Sequence, residues 1–386
     1  MNERQDAAMR KLLALTVAAL VAAGLTGCLA ATPDTSKIVK ISSTTSAGYV
    51  WDYYRNEAYP CAVSGYQTFV IGRKVGSSDT ATTPLWVFQH GGGVGGFSET
   101  GQPLPNANRM DEESRTELIG HVDNPGLTAK VRDAGFRIVS VSMCSHDLYG
   151  GMSSPDPNNP NTTPEGEPRP TTGLISVKSA VAFAKAAYPT DDTFLHGGSA
   201  GSAGTIHTAW SLQLQGDPPD GIIPDASVLN QEYFIDAAAQ GICVGESEAV
   251  VKSGLLDRIH PVVADPANQP HLLVARGDLT VPIMHVWNEG DTNTCSDVPM
   301  QCTVDGTTVT LGSTTCMHEP LTRAIDALGP TSRSENLALC VEGPNASIPC
   351  DKHVVTPIDG TNTRAGSPAD YNAAIWSWVG ERLADD

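Results

Sequence analysis

One stretch, Phe194-Leu195-His196-Gly197-Gly198-Ser199-Ala200-Gly201-Ser202-Ala203-Gly204, constrains this chain more than any other. An apolar strand runs through a Gly-x-Ser-x-Gly turn into a helix, which demands a β-turn-α unit with a serine at its apex. A serine on so sharp a turn has a strained backbone and exposes its hydroxyl above the sheet. Side chains two positions to either side would collide, so Gly197 and Gly201 are required. The helix starting just behind points unpaired N–H groups at any negative charge that develops there. Ser202 fits a relaxed form of the pattern, Ala200-x-Ser202-x-Gly204, but it lies three residues further on, where the helix has already begun. Ser199 is therefore the expected nucleophile.

The rest of the chain suits such a unit. Apolar runs bounded by turn formers predict strands over 85–88, 137–141, 193–196, 226–229, 272–275 and 336–340. Nearly continuous apolar content, rather than strict alternation, fits a parallel sheet covered on both faces. Helical patterns fall between them, over 126–134, 174–187, 203–215, 320–328 and 369–383. The alternation predicts an α/β fold, with a mostly parallel central sheet and helices on both faces. Residues 156–170, rich in Pro and Asn, read as a long surface loop, and 231–269 as a cap-like insertion. With no internal repeat and no clean boundary, 48–386 reads as one catalytic domain.

Charge and cysteine content narrow the setting. With 43 acidic against 24 basic residues, net −19, the chain would be repelled by a phosphate backbone, so no nucleic-acid partner is expected. No apolar stretch reaches the roughly 18–20 residues of a membrane-spanning helix. Arg10-Lys11, the apolar run 12–23 and Leu25-Thr26-Gly27-Cys28 form a basic start, a short apolar core and a small-residue break, the pattern of an export signal. Its ending resembles the bacterial lipoprotein box, which implies removal of 1–27, lipidation of Cys28, a membrane contact through that lipid, and a cell-envelope or extracellular location. Residues 28–47, rich in Ser, Thr and Ala, then read as a flexible tether. Eight cysteines remain beyond Cys28, an even number that suggests up to four disulfides in an oxidising compartment, mostly local within the C-terminal third. The sequence contains neither a Cys-x-x-Cys pair nor a His-Glu-x-x-His motif, and no metal or cofactor is expected.

A second motif, Gln89-His90-Gly91-Gly92-Gly93, follows the 85–88 strand. With the Ser199 turn downstream, the chain resembles the α/β-hydrolase superfamily, in particular esterases and lipases with a His-Gly-Gly-Gly oxyanion motif. The chemistry needs N–H groups about 3 Å from the oxyanion of a tetrahedral intermediate, and glycine lets the backbone approach. The resemblance assigns these donors to Gly92, Gly93 and Ala200, and makes His90 a structural residue of the loop. It places the acid after a later strand, where Leu272-Leu273-Val274-Ala275-Arg276-Gly277-Asp278 offers Asp278, with Glu232 and Asp291 as rivals. It places the general base near the C-terminus, at His353, ahead of His318 and His285. Cys340 and Cys350 bracket the His353 loop, so a disulfide between them would hold the base in place.

The resemblance implies a serine esterase or lipase that cleaves carboxylic esters, small or polymeric, through an acyl-enzyme. Two other readings stand beside it. One is a serine peptidase on the same fold, and the other is a non-catalytic surface binding protein that keeps the fold. Trp86, Phe97, Tyr149 and Trp287 are candidates to line an acyl pocket.

Overall fold

The computed structural model describes residues 29–104, 106–226, 230–242, 254–291, 298–304, 306–342, 349–360, 362 and 370–384. Cys28, Cys243, Cys295 and the export signal lie outside them. Eleven strands and eight longer helices position the site. In chain order they are β1 (Ile38–Ser46), β2 (Tyr49–Pro60), β3 (Tyr66–Lys74), β4 (Leu85–Gln89), α1 (Arg115–Val122), α2 (Leu127–Ala134), β5 (Arg137–Val141) and α3 (Gly173–Ala187). There follow β6 (Thr193–Gly198), α4 (Ala200–Leu214), β7 (Gly221–Asp225), α5 (Gln231–Ala239), α6 (Pro270–Arg276) and β8 (Met284–Asn288). Last come β9 (Pro299–Val304), β10 (Thr307–Gly312), α7 (Ser313–Leu328), β11 (Glu335–Leu339) and α8 (Tyr371–Leu383).

Nine strands form one sheet in the order β1-β2-β3-β5-β4-β6-β7-β8-β11. The first three join antiparallel, and the six from β5 to β11 run parallel. The strands β4 to β8 are buried throughout, as their apolar runs require, and successive side chains feed two separate cores. Leu85, Val87, Val139, Leu195 and Ile222 join α3, α4 and α7 on one side. Trp86, Phe88, Ile138, Phe194 and Ile223 join α1, α2 and α8 on the other. The expected α/β architecture is thus present.

Besides the strand expected over 226–229, where β7 instead spans Gly221–Asp225 and 227–229 lie outside the described residues, two elements differ from expectation. Residues 272–275 are helical, inside α6, and the strand at that point of the chain is β8. A four-residue apolar run is ambiguous between the two states. The deciding signals lie at its ends, where Pro270 opens the helix and Gly277, at φ 72°, closes it. The second difference is the supposed tether over 28–47. Leu29 is fully buried, and residues 38–46 form β1 along β2. The carbonyl of Leu29 accepts from Lys178 Nζ (2.7 Å) and Ser211 Oγ (2.6 Å), and that of Ala31 from Lys178 Nζ (2.8 Å) and Gln215 Nε2 (2.9 Å). These donors sit on α3 and at the far end of α4, some 150 residues away in sequence, so local composition carries no trace of the docking. The loop over 156–170 is also tied down at its ends: Asp156 pairs with buried Arg258, and buried Arg169 donates to the carbonyls of Cys61 and Gly65.

Among the described residues three disulfides join Cys61 to Cys144, Cys302 to Cys316 and Cys340 to Cys350, two of them local to the C-terminal third. No helix among the described residues is long and apolar enough to cross a membrane.

The docked N-terminal segment should be a measurable part of the stability. Burial holds the Lys178 ammonium down to about 8, still largely protonated at neutral pH, and the two carbonyls accept its hydrogen bonds. A chain beginning at Ser36 loses the Leu29 burial, worth about 2 kcal/mol, and strands a buried cation. Its melting temperature should fall several degrees below that of a chain beginning at Leu29, and equal melting would show the docking to be energetically idle.

Candidate active site

Ser199 sits at the end of β6 with φ 55° and ψ −121°, and α4 begins at the next residue. From Asp192 to Leu212 every other residue is buried, so Ser199 is the one point where this β-turn-α unit reaches solvent. A Cβ on Gly197 would be driven into the carbonyl of Gly201, and one on Gly201 into the carbonyl of Gln89. Both glycines are thus fixed by close backbone approach. Ser202 is fully buried, and its hydroxyl donates to the carbonyls of Ser199 (2.6 Å) and Ala226 (3.1 Å), which makes it a structural residue. Ala200 opens α4, so its N–H has no acceptor within the helix.

The glycine loop after β4 lies against this turn. A Cβ on Gly91 would stand 2.9 Å from both the Gly198 carbonyl and Ser199 Cβ. Gly91, Gly92 and Gly93 are all partly exposed beside the serine, with Gly93 at φ 75°. His90 holds the loop through Nδ1, 2.7 Å from the Gly91 carbonyl, and the Tyr149 hydroxyl donates to the His90 carbonyl at 3.3 Å.

His353 Nδ1 lies 2.6 Å from Asp291 Oδ2; the Asp291 side chain is fully buried and that of His353 is 14 % exposed. The carboxylate against His353 is thus Asp291 and not the expected Asp278. Asp278 lies just past the end of α6, half exposed, and pairs with Arg276 at 2.8 Å. Asp278 follows α6, whereas Asp291 follows the strand β8. Glu232 is an exposed residue in the first turn of α5. Among the histidines, His285 Nε2 and His318 Nδ1 lie 3.1 Å apart, and His285 Nδ1 is 3.1 Å from Asn336 Oδ1. Burial pushes His285 down to about 4 and His318 well below the ordinary range, the latter reinforced by the charges of His285 and His353. Trp86 is core, packed on Phe136, Phe194 and His196, and Phe97, Tyr149 and Trp287 are likewise buried.

Three anchors hold the His353 segment. The Cys340–Cys350 disulfide closes its base. Asn288, at the end of β8, donates to the carbonyls of Cys350 and Lys352, each at 2.7 Å. Asp225, at the end of β7, accepts from Val355 N (2.9 Å), Thr356 N (2.7 Å) and Thr356 Oγ1 (2.7 Å) on a single carboxylate oxygen. The Asp225 main-chain carbonyl accepts the N–H of Ser199 at 2.9 Å, so one residue ties the serine turn to the histidine segment. Val354 completes the contact, since a Cβ on Gly198 would come within 2.6 Å of its Cγ1. Asp225 and Asn288 have no motif around them; each is a polar residue closing an apolar strand, and their partners lie 53–131 residues away.

No protein-family model matches the chain, and no curated protein is similar to it in sequence. Solved structures do overlay on it. Brefeldin A esterase, described as a bacterial homologue of human hormone sensitive lipase, shows 14 % identity over 94 % of this chain and 82 % of its own, with a TM-score of 0.41. A putative acetyl xylan esterase from Bacteroides fragilis shows 12 % over 93 % and 86 %, with 0.43. An S-formylglutathione hydrolase from Agrobacterium tumefaciens shows 10 % over 78 % and 88 %, with 0.44. Overlays this loose carry no argument about chemistry, which rests on the residues themselves.

Two measurements check this geometry. Asp291→Ala should lower kcat for a simple ester by about 10³–10⁴-fold, the cost of an imidazole left without its orienting acid. Asp278→Ala should leave kcat within about twofold, because an exposed ion pair contributes little. The reverse pattern would return the acid to Asp278. The second measurement concerns stability. Burial raises the Asp225 carboxyl from 3.8 to about 6, against the hydrogen bonds from Thr356 and Val355 that lower it. A pKa higher in the folded state gives a contribution fully present below about pH 4 and lost as pH rises through about 6, worth about 3 kcal/mol. The stability advantage of wild type over Asp225→Asn should therefore shrink by that order between pH 4 and 7; a constant difference would show that Asp225 does not titrate there.

Proposed function

We propose that the chain is a serine hydrolase of carboxylic esters that works through an acyl-enzyme. Ser199 Oγ attacks the ester carbonyl while His353 Nε2 takes its proton, and Asp291, bonded to Nδ1, orients the ring and stabilises the imidazolium. The N–H groups of Gly92, Gly93 and Ala200 receive the oxyanion. The imidazolium returns its proton to the departing alkoxide, and water, deprotonated by the same ring, then cleaves the acyl-serine. The observation that carries this reading is the convergence on one partly exposed serine of two independent segments. These are a glycine loop touching Ser199 Cβ and a histidine–aspartate pair whose next residue packs on Gly198.

The setting we infer is export. Three disulfides support it, because such bonds persist in oxidising compartments. The Leu-Thr-Gly-Cys box supports a lipid on Cys28. Because Leu29 already belongs to the folded body, such an anchor has no spacer. Its docking partner Ser211 lies 12 residues along α4 from Ser199, or about 18 Å of helix at 1.5 Å per residue. The serine is thereby held at the opposite end of α4 from the anchor, an orientation suited to external esters, polymeric ones included.

The test is release of p-nitrophenol from acetate, butyrate and decanoate esters, beside an aminoacyl anilide, by disulfide-intact wild type and Ser199→Ala. Ester turnover in wild type, reduced by at least about 10⁴-fold in the variant, is the expected outcome. Anilide cleavage without ester turnover would move the reading to a peptidase. A folded protein with no Ser199-dependent turnover would leave the binding-protein reading.

A further inference from the structure

A buried ion pair stands behind the glycine loop and sets the direction of one of its N–H groups. His90 follows β4, and Glu113 lies two residues before α1. His90 Nδ1 faces the Gly91 carbonyl at 2.7 Å, and a carbonyl can only accept, so Nδ1 carries a proton. That carbonyl and the Gly92 N–H belong to one planar trans peptide, in which the two point in opposite directions. Holding the carbonyl on His90 therefore turns the Gly92 N–H away from the ring, and no main-chain carbonyl among the described residues takes it. The same peptide lies against the nucleophile, since a Cβ on Gly91 would stand 2.9 Å from Ser199 Cβ.

The other ring nitrogen faces Glu113. His90 Nε2 is 3.1 Å from Oε1 and 2.9 Å from Oε2, and Met143 N donates to Oε1 at 2.7 Å. The Glu113 main-chain carbonyl accepts from the hydroxyls of Tyr53 (2.8 Å) and Thr68 (2.9 Å), so β2 and β3 fix the root of the side chain. Burial works against a charged ring, yet the Glu113 charge and hydrogen bond outweigh it and raise His90 above the ordinary imidazole range. Burial likewise works against the carboxylate, and the His90 charge still holds Glu113 below the ordinary range. His90 is thus a buried imidazolium with one N–H committed to the carboxylate and the other to the loop. From α1, His121 stacks on it with centroids 4.0 Å apart, and Glu117 adds a negative charge. From the segment after β5 come His146 and Tyr149. Burial and the charge of His90 push His121 and His146 each down to about 4, and burial raises the Tyr149 phenol well above its usual range. Arg109, Asp111 and Glu112 line the cavity outside. Within this cluster His90 is the group that loses charge as pH rises above neutral.

We propose that Glu113 is a positioning residue for ester hydrolysis, whose carboxylate grips His90 and so fixes the Gly91–Gly92 peptide with its N–H turned to the oxyanion. The inference rests on the hydrolase reading above. An N–H aimed at the oxyanion is worth more in the transition state than against the ground-state carbonyl, so its misplacement falls on kcat rather than KM. Deprotonation of the ring at high pH leaves the Nε2 lone pair against a carboxylate, and the grip is lost. A glutamine at 113 keeps an oxygen for Met143 N and offers an amide N–H to a neutral Nε2, so it preserves the bond without the charge.

The experiment measures kcat and KM for p-nitrophenyl butyrate from pH 6 to 10 with disulfide-intact wild type, Glu113→Ala and Glu113→Gln, each shown by a melting curve to be folded. Glu113→Ala should lose about 10²-fold in kcat, the cost of a misplaced group, with KM changed by about twofold or less. Wild-type kcat should fall at alkaline pH as His90 deprotonates. Glu113→Gln should keep kcat within about threefold of wild type at pH 7 and lack that alkaline fall. Should Glu113→Ala not fold, the Glu113→Gln profile alone decides. Wild-type kcat in Glu113→Ala, an alkaline fall retained in Glu113→Gln, or a Glu113→Gln as slow as Glu113→Ala would each overturn the role while leaving the hydrolase reading intact. A folded wild type without ester turnover would instead remove that reading, and this role with it.

Discussion

The site depends on one buried carboxylate. Asp225 ends β7 beside β6, and through its main chain and its side chain it holds the Ser199 turn and the segment after His353 together. Its main-chain carbonyl takes the Ser199 N–H, and its side chain takes two N–H groups and a hydroxyl from Val355 and Thr356. The chain extends further. Thr356 Oγ1 donates to Asp225, so it accepts from His196 Nε2 at 2.8 Å, which fixes His196 on β6 as the neutral Nε2–H tautomer; burial alone holds that ring down to about 3. The carbonyls of Thr356 and Pro357 in turn accept the first N–H groups of α2, Leu127 and Gly126. Strand ends, helix start and histidine loop are thus one hydrogen-bonded unit. Reacting groups held to fractions of an ångström need that kind of support.

What could be read from the sequence follows from how local each signal is. The Ser199 turn and the glycine loop are written in consecutive residues, because the constraint is steric and acts within a few positions. The parallel strands were legible for a similar reason, since a strand buried on both faces must be apolar almost throughout. His353 was reached through chain order. The pairing of Asp291 with His353 is not legible in this way, because the four-residue run 272–275 passes equally well for strand or helix. Had Pro270 and Gly277 been weighed as helix ends, β8 would have become the strand and Asn288-Glu289-Gly290-Asp291 the turn that follows it. Asp225, Asn288 and Lys178 lay beyond reach for a different reason. Each is defined by a partner far away in sequence, and a single polar residue at the end of an apolar run does not say whom it will meet.

The same distinction explains the misread N-terminal segment. Ser, Thr and Ala in short alternation are compatible with a tether and with an edge strand alike. What decides between them is whether the carbonyls of 29–31 find donors, and those donors are Lys178, Ser211 and Gln215. A buried lysine is expensive unless its ammonium is coordinated, so the segment and the lysine stabilise each other.

Buried carboxylates surround the site. Asp291, Asp225 and Asp147 have little or no exposure, and Asp147 accepts from the N–H groups of Tyr149, Gly151 and Gly173. Burial raises the carboxyls of Asp225 and Asp147 despite the hydrogen bonds they accept. A fold that keeps such groups where they are must be held by something other than the groups themselves. Two of the disulfides lie where this is needed. Cys340–Cys350 closes the loop bearing His353, and Cys61–Cys144 ties the end of β2 beside Met143, against which Gly92 packs and whose N–H orients Glu113. One covalent link thus closes the loop bearing His353 and the other braces the Met143 segment behind the glycine loop, where they help hold a strained, charge-rich site in place.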